Sequence, residues 1–573
     1  MKKNKYLGIT IGPIYDTILQ AQKTREFWFG SYFFSHLMKL ILREIINKGY
    51  GTILAQDTSK IHEDEKLHGA GIYSDRCYVR LSKDFTQENY DSLSESVLNQ
   101  LKVEDKSVLK DYVQIYCTVQ TIDGDGNYIQ ILNQQLDTME LQTQYSPWYI
   151  YTLASGYENL KKLRRNDEKI ILPTNVDGLI TEWYELGFNK ADRDDLIYYE
   201  NINGGIWSFP SLLEITTKGL DRFNSDLYKK EIHSLFEKSL SDEINGREDK
   251  TKEKEILKQI KKLFPDYYQT AHKYAVIVTA DGDNMGKLFK AVAEKHDDDL
   301  LNKLAQNVSE FNRQASRLIY QYGGKPVYIG GDDLVFFAPS ISYEDETKVR
   351  TNSEIEGILW SEDNSGHIFN LIEALDNVFN HIFATWIDNP KYEKPSLSYG
   401  ISITYYKYPL SEAMNLSHDL LFNHAKKYPT EKNPVKNCIA VQLMMHSGSF
   451  DEVVLEKSGS DSSFNRLLEL LKKFPEKENV INSILQRLRS DAELILCIGR
   501  DEDSFKSYFS NEYEFQLMTN IRKKAFIEHS IELFKKIFEQ QKGSPEKALK
   551  QLCTMYRLLN FLIHKETENE DEI

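Results

Sequence analysis

The spacing of hydrophobic and polar positions changes along the 573-residue chain, and each spacing predicts a different element. A strand is predicted over residues 6–11, and residues 14–46 carry apolar side chains at helical spacing. Residues 274–280 form a continuous apolar run, which is typical of a central strand buried on both faces. Apolar residues within 301–322 then recur every three or four positions, which predicts an amphipathic helix.

The elements that follow this helix complete a recognisable order. Residues 326–337 indicate a hairpin, 369–387 a helix, 396–405 a strand and 411–427 another helix. The order strand, helix, hairpin, helix, strand, helix is close to the ferredoxin-like plan. The same plan can be followed from about residue 5, so the predicted fold class is α+β with two ferredoxin-like palm domains.

The remaining segments are predicted to be mainly helical. Helical spacing runs through 145–165 and 211–268, while 166–210 is irregular. After about residue 450 every apolar stripe has helical spacing, which favours a bundle of about four or five helices. The tail, 566–573, is acidic.

These patterns together predict four domains. They are a first palm with an insertion (1–210), a helical linker (211–270), a second palm (271–450) and a C-terminal helical bundle with an acidic tail (451–573).

Charge and composition restrict the classes of partner. A net charge of −16 argues against a protein that grips nucleic acid over its whole surface, so any such contact is expected to be local or made through partners. The five cysteines lie far apart, which indicates a reduced, intracellular protein. No apolar run approaches the roughly 18 residues of a membrane span, so a cytoplasmic location and no membrane contact are expected.

Two acidic clusters are the candidate catalytic residues. One follows the buried strand and the other occupies the predicted hairpin, with the amphipathic helix between them. The clusters comprise Asp281, Gly282 and Asp283, then Gly330, Gly331, Asp332 and Asp333. Either one alone is typical of an ordinary turn, because Gly and Asp are favoured in turns. Together, in this strand–helix–hairpin order, they favour a catalytic site.

A nucleotidyltransferase needs such carboxylates to hold two Mg²⁺ ions about 4 Å apart, which activate the attacking hydroxyl and stabilise the leaving pyrophosphate. The predicted catalytic residues are Asp281, Asp332 and Asp333, and the predicted metal ligands are these three with Gly282. The residues predicted to line the nucleotide are Gly282, Asp283, Gly330 and Gly331. The two hairpin glycines leave space where a nucleotide approaches the backbone.

At these residues the sequence resembles the large subunit of type III CRISPR RNA-guided effector complexes, specifically the Cmr (type III-B) branch, whose palm carries a Gly-Gly-Asp-Asp motif. The resemblance covers essentially the whole chain. Further matching segments are 12–14, 22–32, 209–217, 398–410 and 425–427.

The resemblance implies an activity. Target RNA bound by the guide complex switches on the palm, which polymerises ATP, usually into cyclic oligoadenylate with 3′–5′ links. Some members instead attach AMP to S-adenosylmethionine. The implied cofactors are two Mg²⁺ or Mn²⁺ ions, with ATP as substrate and S-adenosylmethionine as a possible co-substrate. The implied partners are the other subunits of the complex, the guide CRISPR RNA and the target RNA.

The resemblance also implies individual roles. By motif match, Asp281 and Asp333 hold the metals and Asp332 assists. Ser398 is expected to line the adenine pocket. Lys426 is expected to meet the phosphates, or alternatively to be a solvated lysine at a helix end.

Three departures from the family pattern change the expectations. The chain begins at the first palm, so no HD nuclease domain is expected. Residues 166–210 contain no cysteine, so no structural zinc is expected there. The first strand ends at Gly12 rather than at an acid, so the first palm is expected to be non-catalytic.

Two other functions stay open. A diguanylate cyclase shares the palm, but its Gly-Gly-Asp-Glu-Phe motif has Glu-Phe where this chain has Asp333-Leu334. A non-enzymatic scaffold would use the palms only to bridge RNA-bound subunits. Retention of all three aspartates argues against a scaffold without excluding it.

Overall fold

The structure is a computed structural model of the chain. It describes residues 3–19, 21, 23–59, 61, 71–100, 113–122, 127–141, 197–199, 206–244, 251–295, 297–344, 357–360, 365–429, 434–448, 450–472, 479–498, 501, 503–504, 507–508, 521–540 and 544–563. The helix predicted over 145–165, most of the irregular stretch 166–210 and the acidic tail 566–573 lie outside the described residues.

The N-terminal part forms a four-stranded sheet. Its strands are β1 (Asn4–Gly12), β2 (Gly51–Leu54), β3 (Arg76–Leu81) and β4 (Gln114–Ile122). All neighbours are antiparallel in the ferredoxin-like order β2-β3-β1-β4. The accompanying helices are α1 (Ile14–Leu19), α2 (Thr24–Lys48), α3 (Gln87–Gln100) and α4 (Tyr128–Glu140). The helix predicted over 14–46 is observed as two helices, because α1 ends at Leu19 and α2 begins at Thr24.

A short ribbon and a group of helices connect this sheet to the next. The ribbon consists of β5 (Ile197–Tyr199) and β6 (Ile206–Ser208). The helices are α5 (Leu212–Phe223), α6 (Ser225–Tyr228), α7 (Ser234–Ile244) and α8 (Lys252–Leu263). A capping box fixes the start of α5, because the Glu214 backbone N–H donates to Ser211 Oγ at 3.3 Å and the Ser211 N–H donates to Glu214 Oε2 at 2.8 Å.

The second sheet has six strands. They are β7 (Tyr274–Asp283), β8 (Lys325–Gly330), β9 (Asp333–Pro339), β12 (Ser396–Tyr405), β13 (Cys438–Met444) and β14 (Phe450–Glu456), while β10 (Ile341–Tyr343) and β11 (Ser365–His367) form a separate ribbon. The order is β14-β13-β12-β7-β9-β8. The four strands β12-β7-β9-β8 repeat the ferredoxin-like order of the first sheet. The predicted fold class, α+β with two ferredoxin-like sheets, is confirmed.

Helices follow the strands of the second sheet as the sequence predicts. They are α9 (Met285–Ala293), α10 (Asp298–Tyr322), α11 (Ile368–Ile382), α12 (Ala384–Ile387) and α13 (Leu410–Asp419). A π-helical segment, Leu420–Ala425, continues α13. Gly323 ends α10 in the left-handed conformation at φ 98°.

Strand β7 is central, and its two faces belong to different cores. Val278 packs in the core that holds α10 and α11. Ile277 belongs to the core that holds α2, where the rings of Phe337 and Phe27 lie 5.5 Å apart. Because side chains alternate along a strand, Asp281 lies on the same face as Ile277. The candidate acids therefore point toward the side where the first sheet and α2 pack.

The region after residue 450 differs in part from its prediction. Helices α14 (Ser463–Lys472), α15 (Asn479–Ser490), α16 (Ala492–Ile498), α17 (Ile521–Gln540) and α18 (Pro545–Ile563) are present. However, β14 pairs with β13 along its full length, so the all-helical prediction is wrong here and the predicted boundary at 450 cuts through a strand. The apolar run of β14, residues 453–455, is too short for periodicity to separate strand from helix.

Within the part of the chain that the structure describes, no helix has both the length and the apolar character needed to cross a bilayer.

Candidate active site

The pairing of β7 with β9 brings the acidic clusters together. Asp281 and Asp333 are direct partners in the antiparallel register, so their side chains lie on the same face. The backbone N–H of Gly282 donates to the carbonyl oxygen of Asp332 at 3.1 Å. The side chains of Asp281 and Asp332 are close enough that the charge of Asp281 raises the pKa of Asp332. The structure thus brings all three predicted catalytic aspartates to one end of two adjacent strands.

Gly282 is required by the close approach of the hairpin. A Cβ atom at this position would lie 2.7 Å from Asp332 Cβ, 2.9 Å from Asp332 Oδ2 and 2.5 Å from Met285 Cγ. Contacts this short force neighbouring atoms to move. The absence of a side chain at Gly282 therefore lets Asp332 pack directly against the end of β7.

The two hairpin glycines have different roles. A Cβ on Gly330 would lie 2.5 Å from the hydroxyl oxygen of Tyr328, so Gly330 leaves room for that ring. Gly331 adopts φ 65° and has open space where a Cβ would be. Only Gly331 matches the expectation of free space beside the backbone, and its predicted nucleotide contact stays a prediction.

Lys426 is the cation next to the acids. It follows the π-helical segment, and its Nζ donates to Asp281 Oδ2. Both side chains are largely buried, with 19% of Lys426 and 17% of Asp281 exposed. The alternative of a solvated lysine at a helix end therefore does not describe this residue. Its predicted phosphate contact remains a prediction.

Asp283 is held by three donors and does not face open space. Its Oδ2 accepts hydrogen bonds from Ser396 Oγ at 2.8 Å, Ser398 Oγ at 2.7 Å and the Asn437 N–H at 2.8 Å. Ser398 is fully buried and also accepts from the Cys438 N–H at 3.3 Å. In this conformation Ser398 contacts Asp283 rather than a cleft, and its predicted adenine contact stays a prediction.

Burial raises the pKa values of the three carboxyl groups of the site. Burial, followed by the charge of Asp281, raises the pKa of Asp332 to about 7. Burial also raises the pKa of Asp281, although Lys426 opposes that increase. Asp333 has an exposed surface at the hairpin, but the protein around its carboxyl group reduces the hydration of that group. This desolvation raises the pKa of Asp333 well above its ordinary value, and the charges of Asp332, Asp281 and Asp75 raise it further.

A divalent cation fits this donor set. Carboxylate oxygens are the ligands that Mg²⁺ and Mn²⁺ prefer, and a bound cation would offset the burial and mutual repulsion that raise the pKa values of these carboxyl groups. The side chains are nevertheless not closed around an ion position, since no three Asp, Glu, His or Cys side chains within the described ranges are grouped at metal-binding distances. The predicted metal ligands, including Gly282, stay predictions.

The first half of the chain contributes a neighbour that the sequence did not reveal. Gly71 forms a parallel bridge with Tyr328, and the Ile329 N–H donates to the Gly71 carbonyl at 2.8 Å. This bridge brings the segment that leads to Asp75 near the hairpin, where the charge of Asp75 raises the pKa of Asp333. Asp75 is more than 200 residues from the motif, and no local pattern in the sequence marks it.

Comparison with known proteins gives two family matches. Residues 273–436 match the model "Cas10/Cmr2, second palm domain", and residues 6–55 match "CRISPR-associated protein Cmr2, N-terminal". The chain is also 24% identical over 251 residues to the "CRISPR system Cmr subunit Cmr2" of Pyrococcus furiosus. That match spans 40% of this chain and only 25% of the relative.

Two solved structures show weaker similarity to this chain. A type III-B Cmr-beta complex bound to cognate target RNA has 12% identity and a TM-score of 0.46, covering 92% of this chain and 78% of that one. A Csm1–Csm4 cassette in complex with cA4 has 10% identity and a TM-score of 0.45, covering 96% of this chain and 70% of that one. The two family-model matches, one on each ferredoxin-like sheet, show that residues 273–436 and 6–55 are similar to domains of the Cas10/Cmr2 family.

Proposed function

We propose that this protein is a metal-dependent nucleotidyltransferase that makes an adenylate second messenger from ATP as part of an RNA-guided type III-B CRISPR effector complex. The product is cyclic oligoadenylate or AMP joined to S-adenosylmethionine. The domain division 1–210, 211–270, 271–450 and 451–573 belongs to this proposal, with the boundary at 450 moved to the end of β14. Other subunits, guide RNA and target RNA are the proposed partners.

One observation carries the proposal: Asp281 and Asp333 face each other across β7 and β9, with Asp332 packed against Gly282. Carboxylates on two rigid strands keep a fixed separation, as two-metal chemistry requires. The match of residues 273–436 to the Cas10/Cmr2 second palm adds support from the family.

Each residue has a proposed role. Asp281 and Asp333 hold Mg²⁺ or Mn²⁺, Asp332 assists, and the Gly282 carbonyl completes the set. The ions supply activation of a 3′-hydroxyl and stabilisation of the leaving pyrophosphate. Lys426, which contacts Asp281, would bind the triphosphate. Asp283 has a supporting role in this scheme, because its bonds to Ser398 and Asn437 fix the end of β7.

The test measures products from the assembled effector complex with target RNA, ATP and Mg²⁺, with and without S-adenosylmethionine, by mass spectrometry. We expect adenylate products from the natural chain. The double variant Asp332→Asn/Asp333→Asn should lower their formation by about 1000-fold, since about 4 kcal/mol of transition-state stabilisation corresponds to that factor.

The matched control is Asp299→Asn/Asp388→Asn, which removes the same charge from exposed positions. It should leave product formation unchanged. Products made from GTP rather than ATP would favour a diguanylate cyclase. An assembled, RNA-bound complex that makes no nucleotide product would contradict the proposal and favour a scaffold. Failure of the double variant to assemble would show that the carboxylates are structural.

A further inference from the structure

A cavity of about 460 Å³ lies between the second sheet and the C-terminal helices. Its walls come from β13, the start of β14, and the helices α15 and α18. Phe561, which lines it, packs edge-on against Tyr274 at the beginning of β7, with ring centroids 4.9 Å apart. Asp281 is seven residues further along that strand, or about 23 Å at the usual rise per residue. The cavity is therefore separate from the candidate active site.

The charged groups of the cavity favour an anion. Arg557 and Arg489 both line it, and Arg557 is paired with Asp451. Two guanidinium groups against one carboxylate leave a net formal charge of +1 in a protein whose total is −16. The planar donors of arginine suit the oxygens of a phosphate, which accept two parallel hydrogen bonds.

Carboxamides provide a second kind of recognition. Asn482 and Gln486 lie one turn apart on α15, and Asn560 faces them from α18. The Oδ1 atom of Asn560 is buried and has no hydrogen-bond partner among the residues that the structure describes. A buried acceptor without a partner is costly, so a donor from a bound molecule stabilises it. Carboxamides both donate and accept, which is the pattern that base edges require.

Apolar side chains complete the walls. Leu443 and Met445 from β13 and its following loop, Leu485 from α15 and Phe561 offer a surface for a flat ring. The volume is within the usual range of about 300–1,000 Å³ for small-molecule sites, too large for phosphate alone. A base with a single phosphate satisfies the apolar wall, the amides and the arginines together.

We propose that this cavity binds a nucleoside monophosphate. The phosphate binds to Arg489 and Arg557, and the base lies against the apolar wall with its edge within reach of the carboxamides. The inference is independent of the proposed catalytic function, because it uses none of the palm carboxylates.

The experiment titrates 5′-AMP, adenosine and inorganic phosphate separately into the full-length chain and follows binding by calorimetry. Asp332→Asn/Asp333→Asn serves as the background and no divalent metal is added, which removes binding at the palm. We expect saturable binding of 5′-AMP at least about tenfold tighter than that of adenosine or phosphate, because each of these lacks half of the contacts.

Two variants locate the binding. Arg489→Glu changes an exposed side chain and should weaken 5′-AMP binding about tenfold or more. Asn560→Leu should weaken 5′-AMP binding while leaving inorganic phosphate unchanged. The matched control is Lys303→Glu, the same charge reversal at an exposed position of α10, which should bind like the background protein.

Several results would overturn the inference. They are the absence of saturable 5′-AMP binding, equal affinities in the background protein and in both cavity variants, or an equal loss in Lys303→Glu. Comparable affinities for 5′-AMP and inorganic phosphate would likewise exclude recognition of the base.

Discussion

Asp281 has an acidic and a basic neighbour, and their balance sets its state. The carboxyl of Asp332 and the ammonium of Lys426 both contact it. The ammonium offsets part of the cost of burying the Asp281 charge. In the proposed function, a divalent cation at Asp281 would compete with that ammonium, and Lys426 would then be available to a negatively charged substrate.

We therefore expect Lys426→Met to separate metal binding from substrate binding. Loss of the competing ammonium should tighten Mg²⁺ binding to the ATP-free chain by about threefold to tenfold, because Lys426 no longer competes with the cation for Asp281. The KM for ATP should rise, because a phosphate contact is lost. Calorimetry measures the first effect and steady-state kinetics of the effector complex the second.

Lys427→Met is the control, since it removes the same charge from the neighbouring lysine, whose Nζ donates to Asn423 Oδ1 at 2.9 Å. The affinity for Mg²⁺ and the KM for ATP should both be the same as in the natural chain. Weaker Mg²⁺ binding in Lys426→Met would contradict the role assigned to the ammonium.

Gly282 offers a second test at the same site. In Gly282→Ala the new Cβ would displace Asp332 or Met285, because it would lie less than 3.0 Å from atoms of both side chains. A displacement of about 1 Å at a catalytic group typically lowers turnover by about 100-fold. The rate of product formation and the far-ultraviolet circular dichroism of the variant would be compared with those of Gly286→Ala, where a Cβ meets nothing within 4 Å. Normal turnover in Gly282→Ala would show that catalysis does not require the close packing of Asp332 against residue 282.

At the scale of elements, the edge strand β8 is covered by the segment around Gly71. Ile329 donates its N–H to the Gly71 carbonyl at 2.8 Å, and Ser31 Oγ donates to the Val327 carbonyl at 3.2 Å. Uncovered edge strands leave donors and acceptors unsatisfied. The bridge therefore provides partners for backbone hydrogen-bonding groups of β8 and fixes the segment that leads to Asp75.

Gly71→Ala should loosen this bridge, because its Cβ would lie 2.8 Å from Ser35 Cβ. We expect faster hydrogen exchange at the Ile329 amide, which loses protection when the segment moves away. Hydrogen-exchange mass spectrometry of peptides that contain β8 gives the measurement. Gly357→Ala, where a Cβ meets nothing within 4 Å, should exchange as the natural chain does. Unchanged exchange in Gly71→Ala would mean that the bridge adapts without opening.

The elements also show what the sequence can predict. The long runs of β7, α10 and β12 are predictable nearly to their ends, because burial on both faces or a sustained helical stripe leaves little ambiguity. Strands β13 and β14 escape prediction, since they are short and their pairing depends on partners far along the chain.

The site is predictable to the same degree as the elements that carry it. The meeting of Asp281, Asp332 and Asp333 follows from motif order, because strand, helix and hairpin determine it. The burial of Ser398, the bond from Lys426 and the approach of Asp75 depend on tertiary packing and have no local signal.

At the scale of the whole molecule, ion pairs join the first half of the chain to the second. Arg313 of α10 donates to Asp57 Oδ2 at 3.2 Å, with 10% and 6% of their side chains exposed. Arg80 of β3 pairs with Asp298 at the start of α10. A shielded pair contributes more than an exposed one, so the Asp57–Arg313 contact is the one whose loss should be measurable.

The pKa of Asp57 gives this contact a defined pH dependence. Burial raises that pKa, but hydrogen bonds from Ser59 and Arg313 lower it more, so it lies below its usual value near 3.8. A carboxyl with a lowered folded-state pKa stabilises the fold above its unfolded pKa, and this contribution is lost as pH falls through the folded value. Asp57→Asn should therefore lower the free energy of unfolding at pH 7 by about 2 kcal/mol, and the variant should unfold at a lower urea concentration.

The difference from the natural chain should shrink below about pH 4, because the natural carboxyl is then increasingly neutral as well. Urea unfolding at pH 7, 5 and 3.5 measures it. Asp84→Asn is the control: Asp84 pairs with Lys5 but is 75% exposed, and exposed pairs contribute about 0–1 kcal/mol. If Asp57→Asn were as stable as Asp84→Asn at pH 7, the two halves of the chain would be held by their shared apolar core, where Phe27 meets Phe337, and not by this charge pair.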